Sequence, residues 1–202
     1  MLAIYEYPAN KSWKKLLLRP SFDNSSLEAS VSNILKEVRE NGDSAVRRFA
    51  TMFDKVSIDK LQVTPEEIEA SANEIDEDLK KAIGQAKANI EKFHRAQLVT
   101  EEPIETMPGV KCWRKSVAIE KVGLYIPGGS APLFSTILML GVPATIAGCK
   151  EIILCSPPNR EGKVHPAILY SASLVGVTQI YKVGGAQAIG AMAYGTATIP
   201  KV

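Results

Sequence analysis

Histidine is scarce in this chain of 202 residues: His94 and His165 are the whole supply, and they stand 71 positions apart. A metal site drawn from this chain would have few imidazole nitrogens to use. Cysteine is almost as rare. Cys112, Cys149 and Cys155 form an odd set without close pairs, which argues against a disulfide framework and a zinc knuckle and leaves buried thiols as the expectation. Acidic side chains run out after residue 120, where only Glu151 and Glu161 remain, so general acid and base groups are hard to find in that part. No apolar run reaches the ~18 residues of a membrane-spanning helix, because Gly141 and Pro143 interrupt the longest, from Leu133 to Ala147. Met1 to Lys15 mixes aromatic and charged residues without a small-residue cleavage site, so a secretory signal is not expected and a cytoplasmic address is. No internal repeat stands out, and no cluster of five Lys or Arg with interleaved aromatics suggests nucleic acid.

What is present is the composition of a globular protein, 46% hydrophobic and 23% charged, long enough for one domain or two small ones. The net charge of +2 conceals an asymmetry. Residues 1–111 hold 16 Lys and Arg against 19 Asp and Glu, and residues 112–202 hold 8 against 3. The second part is mildly suited to an anionic ligand.

Helical spacing dominates the first half. After the cap candidates Asn24, Ser25 and Ser26, the residues Leu27, Val31, Ile34, Leu35 and Val38 recur on one face until Gly42, and a short helix from Asp43 carries Val46, Phe49 and Ala50 inward. Thr64-Pro65-Glu66-Glu67 spells a capping box with proline at the first helical position. From Asp76, the series Leu79, Ile83, Ala86, Ile90 and Phe93 predicts a long amphipathic helix, with His94 near its end as a capping or surface group.

After Pro103 the pattern changes. Residues 110–119 read as extended. Val122 to Ile126 reads as a strand closed by Pro127-Gly128-Gly129, Ile152 to Cys155 as a second, and Gln179 to Val183 as a third closed by Gly184-Gly185. Helices are expected from about Leu133 to Cys149, Pro166 to Val175 and Gln187 to Tyr194. Strands alternating with helices imply a parallel sheet and an α/β fold.

In such sheets ligands bind outside the carboxyl ends of the strands, which directs attention to the two Gly-Gly turns. Neither belongs to a Gly-x-Gly-x-x-Gly or Gly-x4-Gly-Lys-Ser/Thr motif, and a glycine after a strand is also what a plain turn needs. Tyr125 is the residue of its strand with a polar handle, an aromatic able to stack on a planar ring. Gln187, at a helix start, can read a ribose or amide group, or serve only as a cap or a solvent-exposed group. Ser130, Ser135 and Thr136 could add hydroxyls, but no nucleophile with an adjacent base is identifiable.

Three strings are specific. Val122 to Met139 (VGLYIPGGSAPLFSTILM), Pro143 to Lys150 (PATIAGCK) and Val183 to Thr196 (VGGAQAIGAMAYGT) closely resemble histidinol dehydrogenase, and Asn41-Gly42-Asp43, Phe53-Asp54-Lys55 and Asn89 to His94 extend the likeness over nearly the whole chain. The resemblance implies a two-step, NAD-dependent oxidation of L-histidinol to L-histidine by a zinc-dependent homodimer. For the fold it implies a helical N-terminal region followed by a Rossmann-like parallel sheet unit, related to aldehyde dehydrogenases, with NAD held without the glycine fingerprint. Residues 1–120 would then be the mainly helical part of the first domain and 121–202 an incomplete Rossmann-like domain carrying the NAD site. By motif, Tyr125 and Gln187 match positions that contact NAD in that family, and an asparagine contact would follow just after Val202. The family's Glu-His acid-base pair and its Gln, His, Asp and His zinc ligands belong to a second half. His94 and His165 match none of these, so no catalytic and no metal-binding residue is assigned here. The ending at Val202 falls in a stretch that continues in the family, so a truncated chain, inactive alone and self-associating, is expected. The alternative is a non-catalytic scaffold for nucleotide binding or dimerisation.

Overall fold

The computed structural model describes residues 3–19, 24–129 and 131–202. Seven α-helices and five strands follow in order among them: α1 (Asn10–Leu16), α2 (Ser25–Phe49), α3 (Pro65–Ser71), α4 (Glu77–Arg95), β1 (Ile104–Met107), β2 (Val110–Cys112), β3 (Lys121–Tyr125), α5 (Phe134–Ala147), β4 (Glu151–Ser156), α6 (Pro166–Leu174), β5 (Gln179–Lys182) and α7 (Gly185–Tyr194), with a π-helical turn at Ala50–Asp54. The α/β expectation is met. β3, β4 and β5 form a parallel sheet in that order, with Leu124 opposite Leu154 and Leu154 opposite Ile180.

β4 is apolar from Ile152 to Cys155 because both of its faces are covered. Side chains alternate across a strand, so Ile153 and Cys155 point into one cluster with Tyr181, Val183 and residues of α2 and α7, while Ile152 and Leu154 point into another with Leu124, Ile180 and residues of α4, α5 and α6. α2 packs on α7, and a Cβ on Gly190 would stand 3.0 Å from Leu35 Cδ2, so the small residue sets how closely the helices approach.

Local sequence accounts for the helix boundaries. Thr64 caps α3 as expected: its hydroxyl accepts from the Glu67 N–H, and the Glu67 carboxylate accepts from the Thr64 N–H at 2.9 Å. Asp76 caps α4, accepting from the Leu79 N–H at 2.7 Å. Gly42 separates two helical segments, as its position suggested, but through a kink inside one continuous run rather than a loop. Its φ of 51° and ψ of −130° are open to glycine and hostile to other residues.

Three features differ from the sequence reading. α1 was not anticipated; none of its residues is buried, so no amphipathic period marks it. Of the extended stretch 110–119, only Val110–Cys112 is strand. It pairs antiparallel with Ile104–Met107 in an exposed hairpin, and residues 113–119 after it belong to no strand. The cysteines are not uniformly buried: Cys155 is, Cys149 is intermediate and Cys112 on the hairpin is exposed. Among the described residues no helix is long and apolar enough to cross a membrane.

Candidate functional site

A cleft of about 970 Å³ opens at the carboxyl ends of the three parallel strands. Tyr125 at the end of β3, Ser156 at the end of β4 and Gly185 just beyond β5 all line it, together with Gly128, Gly129 and Pro157. The strand ends therefore converge as the parallel topology requires, and both glycine turns flagged in the sequence reach the same cavity.

Packing explains why glycine occupies those turns. A Cβ on Gly128 would stand 2.7 Å from Pro157 Cγ, and one on Gly184 would stand 2.6 Å from Pro157 Cβ. The proline ring following β4 is clamped between the two turns, and any side chain would force them apart. At Gly185 the reason is different. Its φ is 64°, and a Cβ there would meet Gln187 Oε1 at 2.5 Å, so both conformation and space call for glycine.

Of the two site residues read from the sequence, Tyr125 lines the cleft, half-buried, and its phenolic oxygen accepts a hydrogen bond of 3.0 Å from the Gly185 N–H. Gln187 lies behind Gly185 and is 1% exposed, and neither its amide nitrogen nor its amide oxygen has a hydrogen-bond partner. A buried group left in this state costs about 1 to 3 kcal/mol, so its persistence calls for an explanation. Ser156 Oγ and Asp54 Oδ2 are likewise buried without partners, and both residues line the cleft. Two of these partnerless groups, Asp54 and Ser156, thus line the cavity, while the Gln187 amide is buried behind Gly185 and does not line it. Desolvation raises the Asp54 carboxyl pKa from its ordinary value.

The α3 side of the cleft is acidic, with Glu66, Glu67 and Glu74. Glu67 is held by Lys182, whose ammonium donates to it at 2.6 Å. Burial alone would raise the Glu67 pKa, but the bonds from Lys182 and the Thr64 N–H outweigh it and the net shift is downward. His165 also lines the cleft, and its Nδ1 accepts from the Ala167 N–H at 3.2 Å and caps α6.

Other residues raised by the sequence lie elsewhere. Ser135 is exposed and Thr136 half-buried, and neither lines the cleft; Ser130 lies outside the described residues. Glu151 begins β4, at the far end of the sheet, paired with Lys121 at 2.8 Å. His94, at the end of α4, faces Gln97 Oε1 at 2.8 Å. Among the described residues no group of three or more His, Cys, Asp and Glu could hold a metal ion.

The sequence reading missed Asp54, Ser156 and His165 as cleft residues. Ser156 could have been found, being the polar residue that ends a fully apolar strand. Asp54 had no such mark, since only tertiary folding brings the π-helical turn to Pro157 and Gly184.

A parallel sheet with helices on both faces and a cleft across its carboxyl ends defines an α/β protein of the Rossmann-like kind. The profile of histidinol dehydrogenase matches residues 17–202, and the chain belongs to that family. It is 54% identical to the histidinol dehydrogenase of Bacteroides thetaiotaomicron over 202 residues, covering 100% of this chain and 47% of that protein. To the histidinol dehydrogenase of Escherichia coli K12 it is 48% identical over 190 residues, covering 94% of this chain and 43% of the relative. The crystal structure of histidinol dehydrogenase from Elizabethkingia anophelis superposes with a TM-score of 0.92 at 47% identity, covering 96% of this chain and 45% of that one. The chain thus spans about half the length of the curated relatives it matches.

Proposed function

We propose that this chain forms the cofactor side of a histidinol dehydrogenase, and that the cleft at the carboxyl ends of β3, β4 and β5 receives NAD. In this reading the whole enzyme oxidises L-histidinol to L-histidine in two NAD-dependent steps, the last of histidine biosynthesis, as a cytoplasmic homodimer. Residues 1–120 are the mainly helical part of the first domain, and residues 121–202 are its incomplete Rossmann-like, cofactor-holding part.

The observation that carries the reading is the convergence of Tyr125, Gly185 and the partnerless Gln187 amide at one end of the sheet. NAD, when bound, supplies a hydride acceptor. The chain's own residues bind and orient it: the Tyr125 ring offers a stacking face, its hydroxyl is fixed by the Gly185 N–H, and the Gln187 amide has one donor side and one acceptor side to offer. The glycine turns admit a ligand close to the backbone. Zinc fits no cluster of the described residues. Exposed apolar side chains, among them Trp13, Leu17, Ile104 and Trp113, support a further protein surface against this chain.

Calorimetric titration with NAD tests the reading. Saturable binding is expected, weakened at least tenfold by Tyr125→Ala. Absence of binding to the unaltered protein would overturn it. With histidinol, NAD and zinc added, no NADH is expected from the 202-residue chain; turnover would overturn the view that it supplies only the cofactor side.

A further inference from the structure

Asp54 closes the π-helical turn Ala50–Asp54, and Lys55 after it adopts a left-handed conformation with φ 58° and ψ 31°. Ala50 at the start of the turn is fully buried in the core, so the turn is anchored and Asp54 is held over the second glycine turn. Asp54 Oδ1 would stand 3.3 Å from a Cβ on Gly184. Asp54 is half-buried and lines the cleft, and its Oδ2 is buried without a hydrogen-bond partner. The neighbouring Lys55 does not relieve it, because its ammonium donates to the Met52 carbonyl at 2.8 Å. Packing alone would have no use for a desolvated carboxylate facing a cleft, where an asparagine or an apolar residue would cost less.

The chemistry of the group restricts what it can receive. An ionised carboxylate offers only acceptors. It suits a ligand that brings two O–H donors at neighbouring positions and it repels a phosphate. Close by in the cleft wall are Tyr125, with its stacking face, and Ser156, whose hydroxyl is also without a partner. In dinucleotide sites generally, an acidic side chain takes the ribose hydroxyls and thereby disfavours the 2′-phosphorylated cofactor. Here the fingerprint loop is absent, and the acidic residue comes from a π-helical turn that precedes the sheet in the chain.

We propose that Asp54 receives the diol of the adenosine ribose of the dinucleotide bound in this cleft and is the residue that selects NAD over NADP. The proposal rests on the reading of the cleft as a dinucleotide site. Asp54 is a specificity-determining residue and takes no part in the chemistry.

The test is calorimetric titration of the unaltered protein, Asp54→Asn and Asp54→Ala with NAD and with NADP, together with thermal unfolding of each protein without ligand. The unaltered protein is expected to bind NAD at least tenfold more tightly than NADP. Asp54→Asn should weaken NAD about tenfold, leave NADP within about twofold and so narrow the preference, while raising the unfolding temperature because a desolvated charge is gone. Asp54→Ala should narrow the preference likewise and serves in place of the amide variant should that fail to fold. NAD binding that is unchanged in both variants, with the same preference over NADP, would overturn the assignment and leave the cleft reading standing. A lowered unfolding temperature with equal weakening of both dinucleotides would also overturn it, since that is the signature of a structural role. If the unaltered protein binds neither dinucleotide, the cleft reading falls and the assignment with it.

Discussion

The Tyr125 hydroxyl accepts a 3.0 Å hydrogen bond from the Gly185 N–H, which ties the end of β3 to the first turn of α7 across 60 residues of sequence. Both residues line the cleft, and the bond orients the Tyr125 ring there. Removing the hydroxyl and removing the ring should therefore have separable consequences. Tyr125→Phe should lower stability by about 0.5 to 1.5 kcal/mol, toward the lower figure because water can reach Gly185, and should keep NAD affinity within a few-fold. Tyr125→Ala should lose the stacking face and with it at least tenfold in affinity. Urea unfolding and calorimetry on the two variants make the comparison, and equal losses of affinity would contradict the division of roles.

Gly184 is a glycine for steric reasons, since its φ of −107° suits any residue. In Gly184→Ala the new methyl would press on Pro157 at 2.6 Å and on Asp54 Oδ1 at 3.3 Å, with a ring and a buried carboxylate as neighbours. The expected outcome is a loss of about 1 to 3 kcal/mol, as for overpacked cores, together with weakened NAD binding. Unchanged stability would mean that Pro157 yields more easily than its packing between two turns implies.

Acid should act on the Lys182–Glu67 pair. Lys182 is buried, and its ammonium sits 2.6 Å from the Glu67 carboxylate. The folded-state pKa of Glu67 lies below its ordinary value, so the stability it contributes is fully present above the unfolded pKa of about 4.3 and is lost as pH falls through the lower folded value. Glu67→Gln should be less stable than the unaltered protein at pH 7, by about 1 to 3 kcal/mol for a charged hydrogen bond, and the difference should shrink below about pH 4. Urea unfolding across that range measures it. A difference that stays constant with pH would show that the charge of Glu67 is not the source of its contribution.

The three thiols should react in order of exposure. Cys112 is exposed on the hairpin and Cys155 is buried in the sheet, where desolvation pushes its pKa up to about 12. A thiolate is the reactive form, so an aromatic disulfide reagent should label Cys112 rapidly, Cys149 more slowly and Cys155 only on unfolding. Rapid modification of Cys155 in the native protein would contradict the placement of β4.

Much of this architecture was legible in local chemistry. Thr64 with Glu67 announced a helix start, the apolar run Ile152–Cys155 announced a strand covered on both faces, and each Gly-Gly pair marked the end of a parallel strand. α1 was not legible because no face of it is buried, so no periodicity marks it. The strand Ile104–Met107 was missed, and the extended stretch beyond Cys112 was overestimated, because an exposed hairpin leaves no contrast between its two faces. At the site, Tyr125 stood out as the polar aromatic in an apolar strand. Gln187 was recognised through its motif, but not its burial or its lack of partners, which depend on the turn at Gly185. Asp54 was invisible as a cleft residue, since what brings it to Pro157 and Gly184 is the packing of the turn 50–54 against the sheet.

The central claim is that NAD occupies the cleft at the carboxyl ends of β3, β4 and β5. Its most direct test is amide chemical-shift mapping of the isotope-labelled protein during titration with NAD. The account predicts saturable shifts concentrated at Gly128, Gly129, Ser156, Gly185 and Gln187. An absence of shifts, or shifts confined to the hairpin 104–112 or the N-terminal helix 10–16, would contradict it.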